Sequence, residues 1–160
     1  MNAPSVSITE VRAQSEIALV RDLFIEYASA IGIDLEYQGF SAELASLPGK
    51  YAPPTGELFL ARVGDMAGGC VALRALDPTT RELKRLYVRP ATRGMGLARQ
   101  LVEAAISSAR RQGCTELRLD TLATMVPAQA LYRSFGFVEI PPYGTDHAHG
   151  TRFYGLSLTG

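Results

Sequence analysis

Residues 81–113 constrain the fold of this chain more than any other stretch. They read as a strand (Glu82-Leu83-Lys84-Arg85-Leu86-Tyr87-Val88), a glycine-rich turn from Arg89-Pro90 through Arg93-Gly94-Met95-Gly96, and a helix starting at Leu97. Past Gly96, residues Leu97, Leu101, Ala104, Ala105 and Ser108 share one helical face, while Arg99, Gln100, Glu103, Ser107, Arg110 and Arg111 fall largely on another. Gly113 suits a helix stop, and residues 116–122 then alternate as a strand. Strand, helix and strand in succession predict a right-handed parallel crossover, which fixes the centre of a sheet.

The turn has the properties of an anion site. A helix start leaves main-chain N–H groups without intrahelical partners at the positive end of the macrodipole, and two glycines let a ligand approach them closely. Such a site suits a pyrophosphate, and Arg89 and Arg93 add positive charge beside it. The spacing excludes two other phosphate loops. A dinucleotide fingerprint needs a small residue where Arg99 stands, and a nucleotide triphosphate loop needs a Gly-Lys-Ser/Thr sequence that is absent.

The remaining elements can be placed around this centre. Residues 5–12 suggest a first strand. Ile17, Val20, Phe24, Tyr27, Ala28 and Ile31 recur at helical intervals, with Ser15 expected as the N-cap and Gly32 as the stop. A shorter helix is expected over 41–47. Residues 57–63 and 66–76 read as a hairpin around Gly64-Asp65, with a bulge at Gly68-Gly69. Apolar positions in the central strand switch parity between Leu83 and Leu86. A β-bulge near Lys84-Arg85 explains this, and so does Tyr87 filling the odd face without one. Pro127 is expected at a first helical position, with Gly136 ending that helix and two strands, near 137–140 and 153–158, closing the chain.

The loop Arg93-Gly94-Met95-Gly96-Leu97-Ala98 resembles the coenzyme A loop of the GNAT superfamily of N-acetyltransferases, whose motif is Arg/Gln-x-x-Gly-x-Gly/Ala. A second segment, Ala130-Leu131-Tyr132-Arg133-Ser134-Phe135-Gly136-Phe137, is similar to the family's Ala-x-x-Leu-Tyr-x-x-x-Gly-Phe pattern, apart from the spacing at its alanine. The resemblance implies a single α/β (α+β) domain over 1–160. Its mixed, twisted, mainly antiparallel sheet would have about six to seven strands with a central parallel crossover, flanked by about four helices. The implied activity is acetyl transfer from acetyl-CoA (coenzyme A) directly to a primary amine of a small molecule, with no metal. A peptide or protein amine acceptor, and a non-catalytic acyl-CoA-binding regulatory module, are the alternatives.

Residue by residue, the resemblance implies that Gly94, Met95, Gly96, Leu97 and Ala98 hold the pyrophosphate beside Arg93, that the main chain of Leu86, Tyr87 and Val88 faces the thioester, and that Tyr132 protonates the leaving thiolate. Many members carry an Asn before that helix; here Met125-Val126-Pro127 has none, which leaves main-chain groups or Gln129 for the pantetheine arm. An ammonium group of lysine-like pKa resists losing its proton at neutral pH by roughly 4–5 kcal/mol, so a base is expected. Glu82 occupies the family's position for it; otherwise it is a solvated strand-end carboxylate pairing with Arg81 or Lys84. Glu36, Tyr37, Gln38, Tyr51, Arg85, Tyr143 and Asp146 are the candidate acceptor contacts, with Arg85 suited to a substrate carboxylate.

Composition narrows the context. Sixteen basic and 16 acidic side chains give zero formal net charge, which favours neither nucleic acid nor an anionic membrane. No basic leader precedes an apolar run, so the expected location is cytoplasmic, with Cys70 and Cys114 as reduced core thiols. His147 and His149 lack a third ligand at metal spacing. The family often dimerises, so a homodimer is possible.

Overall fold

The crossover forms as the sequence predicts, and the rest of the chain wraps around it. The computed structural model describes residues 4–144 and 147–159. Its strands are β1 (Val6–Glu10), β2 (Glu57–Val63), β3 (Met66–Asp77), β4 (Thr80–Val88), β5 (Glu116–Leu122), β6 (Val138–Glu139) and β7 (Thr151–Ser157). Its helices are α1 (Gln14–Ile31), α2 (Phe40–Ser46), α3 (Leu97–Arg111) and α4 (Val126–Ser134). The strands make one seven-stranded sheet in the order β1-β2-β3-β4-β5-β7-β6. Only the β4–β5 pair is parallel; the other neighbours are antiparallel.

Two cores cover the two faces, so the central strands read as apolar runs. Phe59, Ala61, Val71 and Leu73 pack under the apolar stripe of α3, Leu97, Leu101, Val102 and Ala105. The alternate residues, Leu58, Leu60, Cys70 and Ala72, pack under Val20, Leu23 and Phe24 of α1. Leu101 is fully buried, and truncating such a leucine to alanine costs about 2–5 kcal/mol. Both cysteines are buried and free. Among the described residues no helix is long and apolar enough to cross a membrane.

Two bulges shape the centre of the sheet. In β3 the register passes from Ala61↔Gly69 to Arg62↔Ala67, which leaves Gly68 as the extra residue. A Cβ on Gly68 would lie 2.7 Å from the Leu97 side chain, and one on Gly69 would lie 2.6 Å from the Tyr87 carbonyl oxygen. The glycine pair therefore lets the start of α3 and the end of β4 close onto β3. In β4 the register passes from Cys70↔Tyr87 to Ala72↔Lys84, so two residues, Arg85 and Leu86, face Val71 alone. Arg85 has φ of 59°, the sole non-glycine residue with positive φ among those described. This bulge accounts for the parity switch.

Helix ends depart slightly from expectation. The N-cap of α1 is Ala13, two residues earlier than the expected Ser15, because the Glu16 carboxylate accepts from the main-chain N–H groups of Arg12 and Ala13, both at 3.2 Å. Gly32 does stop it, at φ of 68°. Pro127 falls at the second helical residue rather than the first.

Candidate active site

The N-terminus of α3 presents an open cradle of donors. Gly94 and Gly96 adopt φ of 81° and 80°, the left-handed region that glycine enters at little cost. A Cβ at either would meet nothing within 4 Å, so the space above the loop is free for a ligand. Among the described residues, the main-chain N–H groups of residues 94–99 have no main-chain acceptor. Leu97 is buried and anchors the turn. Arg93 lines the cleft, whereas Arg89 does not serve it: its guanidinium is bound to Glu26 at 2.7 and 2.9 Å and to the Ala67 carbonyl oxygen at 3.0 Å.

The cradle opens into a cleft of about 650 Å³, walled by Leu86, Tyr87 and Val88 of β4 and by Ala128 and Leu131 of α4. Donors at one end and apolar walls beyond fit a pyrophosphate carrying an alkyl arm. Gly94, Gly96, Leu97 and Ala98 line this space as expected, while the Met95 side chain packs instead against the core beneath α3. Gln129 is also placed differently from expectation. Its Nε2 donates to the carbonyl oxygens of Leu122 and Ala123 at 2.9 and 3.1 Å, and its Oε1 accepts from Tyr154, so it ties α4 to β5 and does not line the cleft.

The cleft leads to a gap in the sheet. β4 and β5 pair only at Thr80↔Glu116, Arg81↔Leu117 and Glu82↔Arg118, and past these rungs they part. A narrow chamber of about 40 Å³ occupies the gap. Tyr27, Ile31 and Leu122 wall both chamber and cleft. Tyr37, Gln38, Lys84, Asp120 and His147 wall both the chamber and an outer cavity of about 600 Å³. Period-two alternation and the parallel register put Glu82 with Arg118, and Lys84 with Asp120, on one polar face.

Glu82 lines the outer cavity and is not the solvated carboxylate of the bland alternative, being 2% exposed. Its Oε1 accepts from Arg74 Nε at 2.7 Å and its Oε2 from the Tyr143 hydroxyl at 2.7 Å; Arg81 instead donates to Gln112. Burial pushes the Glu82 carboxyl up, but the charges of Lys84 and Arg74 and the two hydrogen bonds outweigh it and hold it below its ordinary value. The same contact, together with burial, pushes the Tyr143 phenol up. Tyr132 is buried in the core, edge-on to Phe137 at 5.7 Å, and lines neither the cleft nor the chamber. Burial above all, with Tyr27 and Asp120 nearby, raises its phenol, so it is protonated at neutral pH.

Three of the expected acceptor contacts are corrected by their surroundings. Arg85, with its side chain 2% exposed, is neutralised by Glu43 through two hydrogen bonds of 3.1 Å and is not open to a substrate carboxylate. Tyr51 is fully buried, edge-on to Phe24 at 6.0 Å. Glu36 accepts from the Ser41 N–H at 3.0 Å and from the Ser41 hydroxyl, and so caps α2. Tyr37, Gln38 and Tyr143 do line the outer cavity, and Asp146 lies outside the described residues. The sequence reading passed over Arg74, Lys84 and Asp120, whose signal was the shared strand parity. No group of three or more metal-ligating side chains occurs among the described residues.

The model of the acetyltransferase (GNAT) family matches residues 20–137. The chain belongs to the GNAT acetyltransferase family. An uncharacterized N-acetyltransferase of Schizosaccharomyces pombe is 39% identical to this GNAT protein over 145 residues, covering 89% of each chain. A GNAT-family acetyltransferase of Staphylococcus aureus superposes with a TM-score of 0.79 at 23% identity, covering 97% of this chain and 100% of the other. The yncA protein of Salmonella typhimurium, a putative acetyltransferase solved with acetyl-CoA, superposes at 0.72 with 19% identity, over 98% and 95% of the two chains. These solved structures establish the GNAT fold.

Proposed function

We propose that this chain is a cytoplasmic, acetyl-CoA-dependent N-acetyltransferase that moves the acetyl group directly to the primary amine of a small molecule. The observation that carries the reading is the run of unpartnered N–H groups over an open glycine floor, at the mouth of a cleft that reaches the gap in the sheet. When bound there, acetyl-CoA supplies an acetyl group activated as a thioester. The N–H groups of residues 94–99 and Arg93 hold its pyrophosphate, and Leu86, Val88 and Leu131 exclude water from its arm.

The other residues divide the proton handling. Past Glu82 the β4 main chain has no ladder partner on its β5 side, so it offers an N–H donor toward the gap where the carbonyl oxygen reacts. Tyr132 stays protonated and is the proton source for the thiolate. On the acceptor side an ammonium proton passes to the Tyr143 oxygen as Tyr143 gives its own to Glu82. That relay reconciles a buried, fully bonded carboxylate with the role of base.

Calorimetric titration with acetyl-CoA, followed by thiol release against a panel of amines, tests the reading. Binding with amine-dependent release supports it. No binding would refute the cradle, and binding without release from any small amine would transfer the activity to a peptide acceptor or leave a binding module.

A further inference from the structure

The outer cavity contains more unspent cationic character than an amine acceptor alone explains. Lys84 is 9% exposed; among the described residues its one ion pair is with Asp120 at 4.0 Å, beyond hydrogen-bonding distance, and its charge also acts on Glu82 without a hydrogen bond between them. Arg74 spends its Nε on Glu82, while its two terminal nitrogens have no partner among the described residues. Both line the same cavity, together with Lys50 and Arg118, which are paired with Glu43 and Glu116. The cations are close enough to act on one another: burial first, and then the charges of Arg74 and Lys84, lower the Lys50 ammonium despite its pairing with Glu43.

Deeper in, the polarity reverses. Gln38 Oε1 is buried with no hydrogen-bond partner, although its Nε2 donates to the Tyr37 hydroxyl at 3.2 Å. A buried acceptor in this condition is costly until a donor arrives. Gln38 and Asp120 both wall the chamber in the gap, and Asp120 stands across from Lys84. At about 40 Å³ the chamber admits a head group and little more.

Resting on the transferase reading above, we propose that the acceptor is an amine that also carries a carboxylate, of the amino acid class. Its ammonium donates to Gln38 Oε1 and Asp120 where the chamber meets the outer cavity that Tyr143 lines, and its carboxylate is bound by Lys84 Nζ and the terminal nitrogens of Arg74 in that outer cavity. Such a molecule exchanges the loose Lys84–Asp120 contact for two close ones and satisfies Gln38. Arg85 also walls the chamber, but its guanidinium is engaged by Glu43 through two hydrogen bonds of 3.1 Å.

The test compares amino acids with their carboxamides as acceptors, with rates corrected for the fraction of free amine. The wild-type enzyme is expected to favour the acids in kcat/KM by on the order of tenfold to a hundredfold. Lys84→Met is expected to remove most of that ratio and Lys84→Arg to retain it. A fold defect lowers both substrates alike and leaves the ratio intact. A second measurement, binding of N-acetyl amino acids against N-acetyl amino acid amides to the unmodified enzyme, reads the acid site without turnover. Acid-selective binding with no amine acetylated would uphold the site and overturn the transferase reading. Acetylation with no preference for acids, or a preference that survives Lys84→Met, would overturn the site alone.

Discussion

Replacing Glu43 by glutamine probes the ion pair beneath the β4 bulge. Glu43 and Arg85 have side chains 4% and 2% exposed, held by two hydrogen bonds of 3.1 Å. Removing one partner of a buried pair costs about 3–5 kcal/mol, because the other charge is left uncompensated. The glutamine oxygen still accepts one hydrogen bond, so the lower end applies, about 3 kcal/mol against a total of roughly 5–15 kcal/mol. For a chain of this length that is a fall in Tm of roughly 6–12 °C. The structure also predicts an asymmetry. Arg85→Met leaves Glu43 paired with Lys50 at 3.3 Å, whereas Glu43→Gln leaves Arg85 with one hydrogen bond to the glutamine and the faces of Phe40 and Tyr27, at 5.3 and 5.9 Å, but without its counter-charge. The arginine variant should therefore lose less, about 2 kcal/mol, and Glu43→Leu combined with Arg85→Met should regain much of the loss. Urea unfolding followed by far-ultraviolet circular dichroism gives all three values. Equal losses in the two single variants, or a loss below about 1 kcal/mol in Glu43→Gln, would refute the view that the pair is a closed unit in the core.

Other outcomes follow from the same coordinates. Gly96→Val should abolish acetyl-CoA binding in calorimetry while lowering stability by only about 1–2 kcal/mol, because its Cβ meets solvent space in the cradle and its strain is local. Gly69→Ala should destabilise the fold by about 1–3 kcal/mol in urea melts, since its Cβ would collide with the Tyr87 carbonyl oxygen. Tyr132→Phe should lower kcat by roughly 10²–10⁴ with acetyl-CoA affinity nearly unchanged; an unaltered kcat would show the thiolate is protonated from elsewhere. Glu43 and Glu82 are both held below the ordinary carboxyl value of 4.5, so their contribution is present above that pH and is lost as pH falls through their folded values. Urea midpoints measured from pH 7 down to pH 3 should drop below about pH 4.5, less steeply in Glu43→Gln.

The sequence revealed what local periodicity can encode. The apolar stripe from Leu97 to Ala105, the Gly64-Asp65 hairpin and the alternation over Glu116–Leu122 each specify their element without reference to the rest of the chain. The two bulges were visible as a glycine pair and as a parity switch. Hidden from such reading was anything decided by partners far apart in sequence. Arg85 looked available because Glu43, which neutralises it, sits on another element, and a solvated strand-end Glu82 stayed open beside its reading as the base because Tyr143 approaches from the C-terminal loop. Tyr51 sits between turns rich in proline and glycine, where nothing local signals full burial. Ser15 is the preferred residue type for a cap, but Glu16 reaches back to the Ala13 N–H and moves the start of α1.

The parallel ladder between β4 and β5 has only three rungs, and within the sheet's strand pairing the strands from β5 onward meet the rest through them. Mechanically the sheet is two panels on a short hinge, with the cleft as the opening between them. A molecule lying in that opening touches β4 on one side and α4 on the other, and so acts as a clasp. Ligand affinity and rigidity of the panels are then one quantity measured two ways. Amide exchange in the halves of β4 and β5 beyond the rungs should slow on binding in step with the free energy of association, while the β1–β2–β3 ladder keeps its own pace.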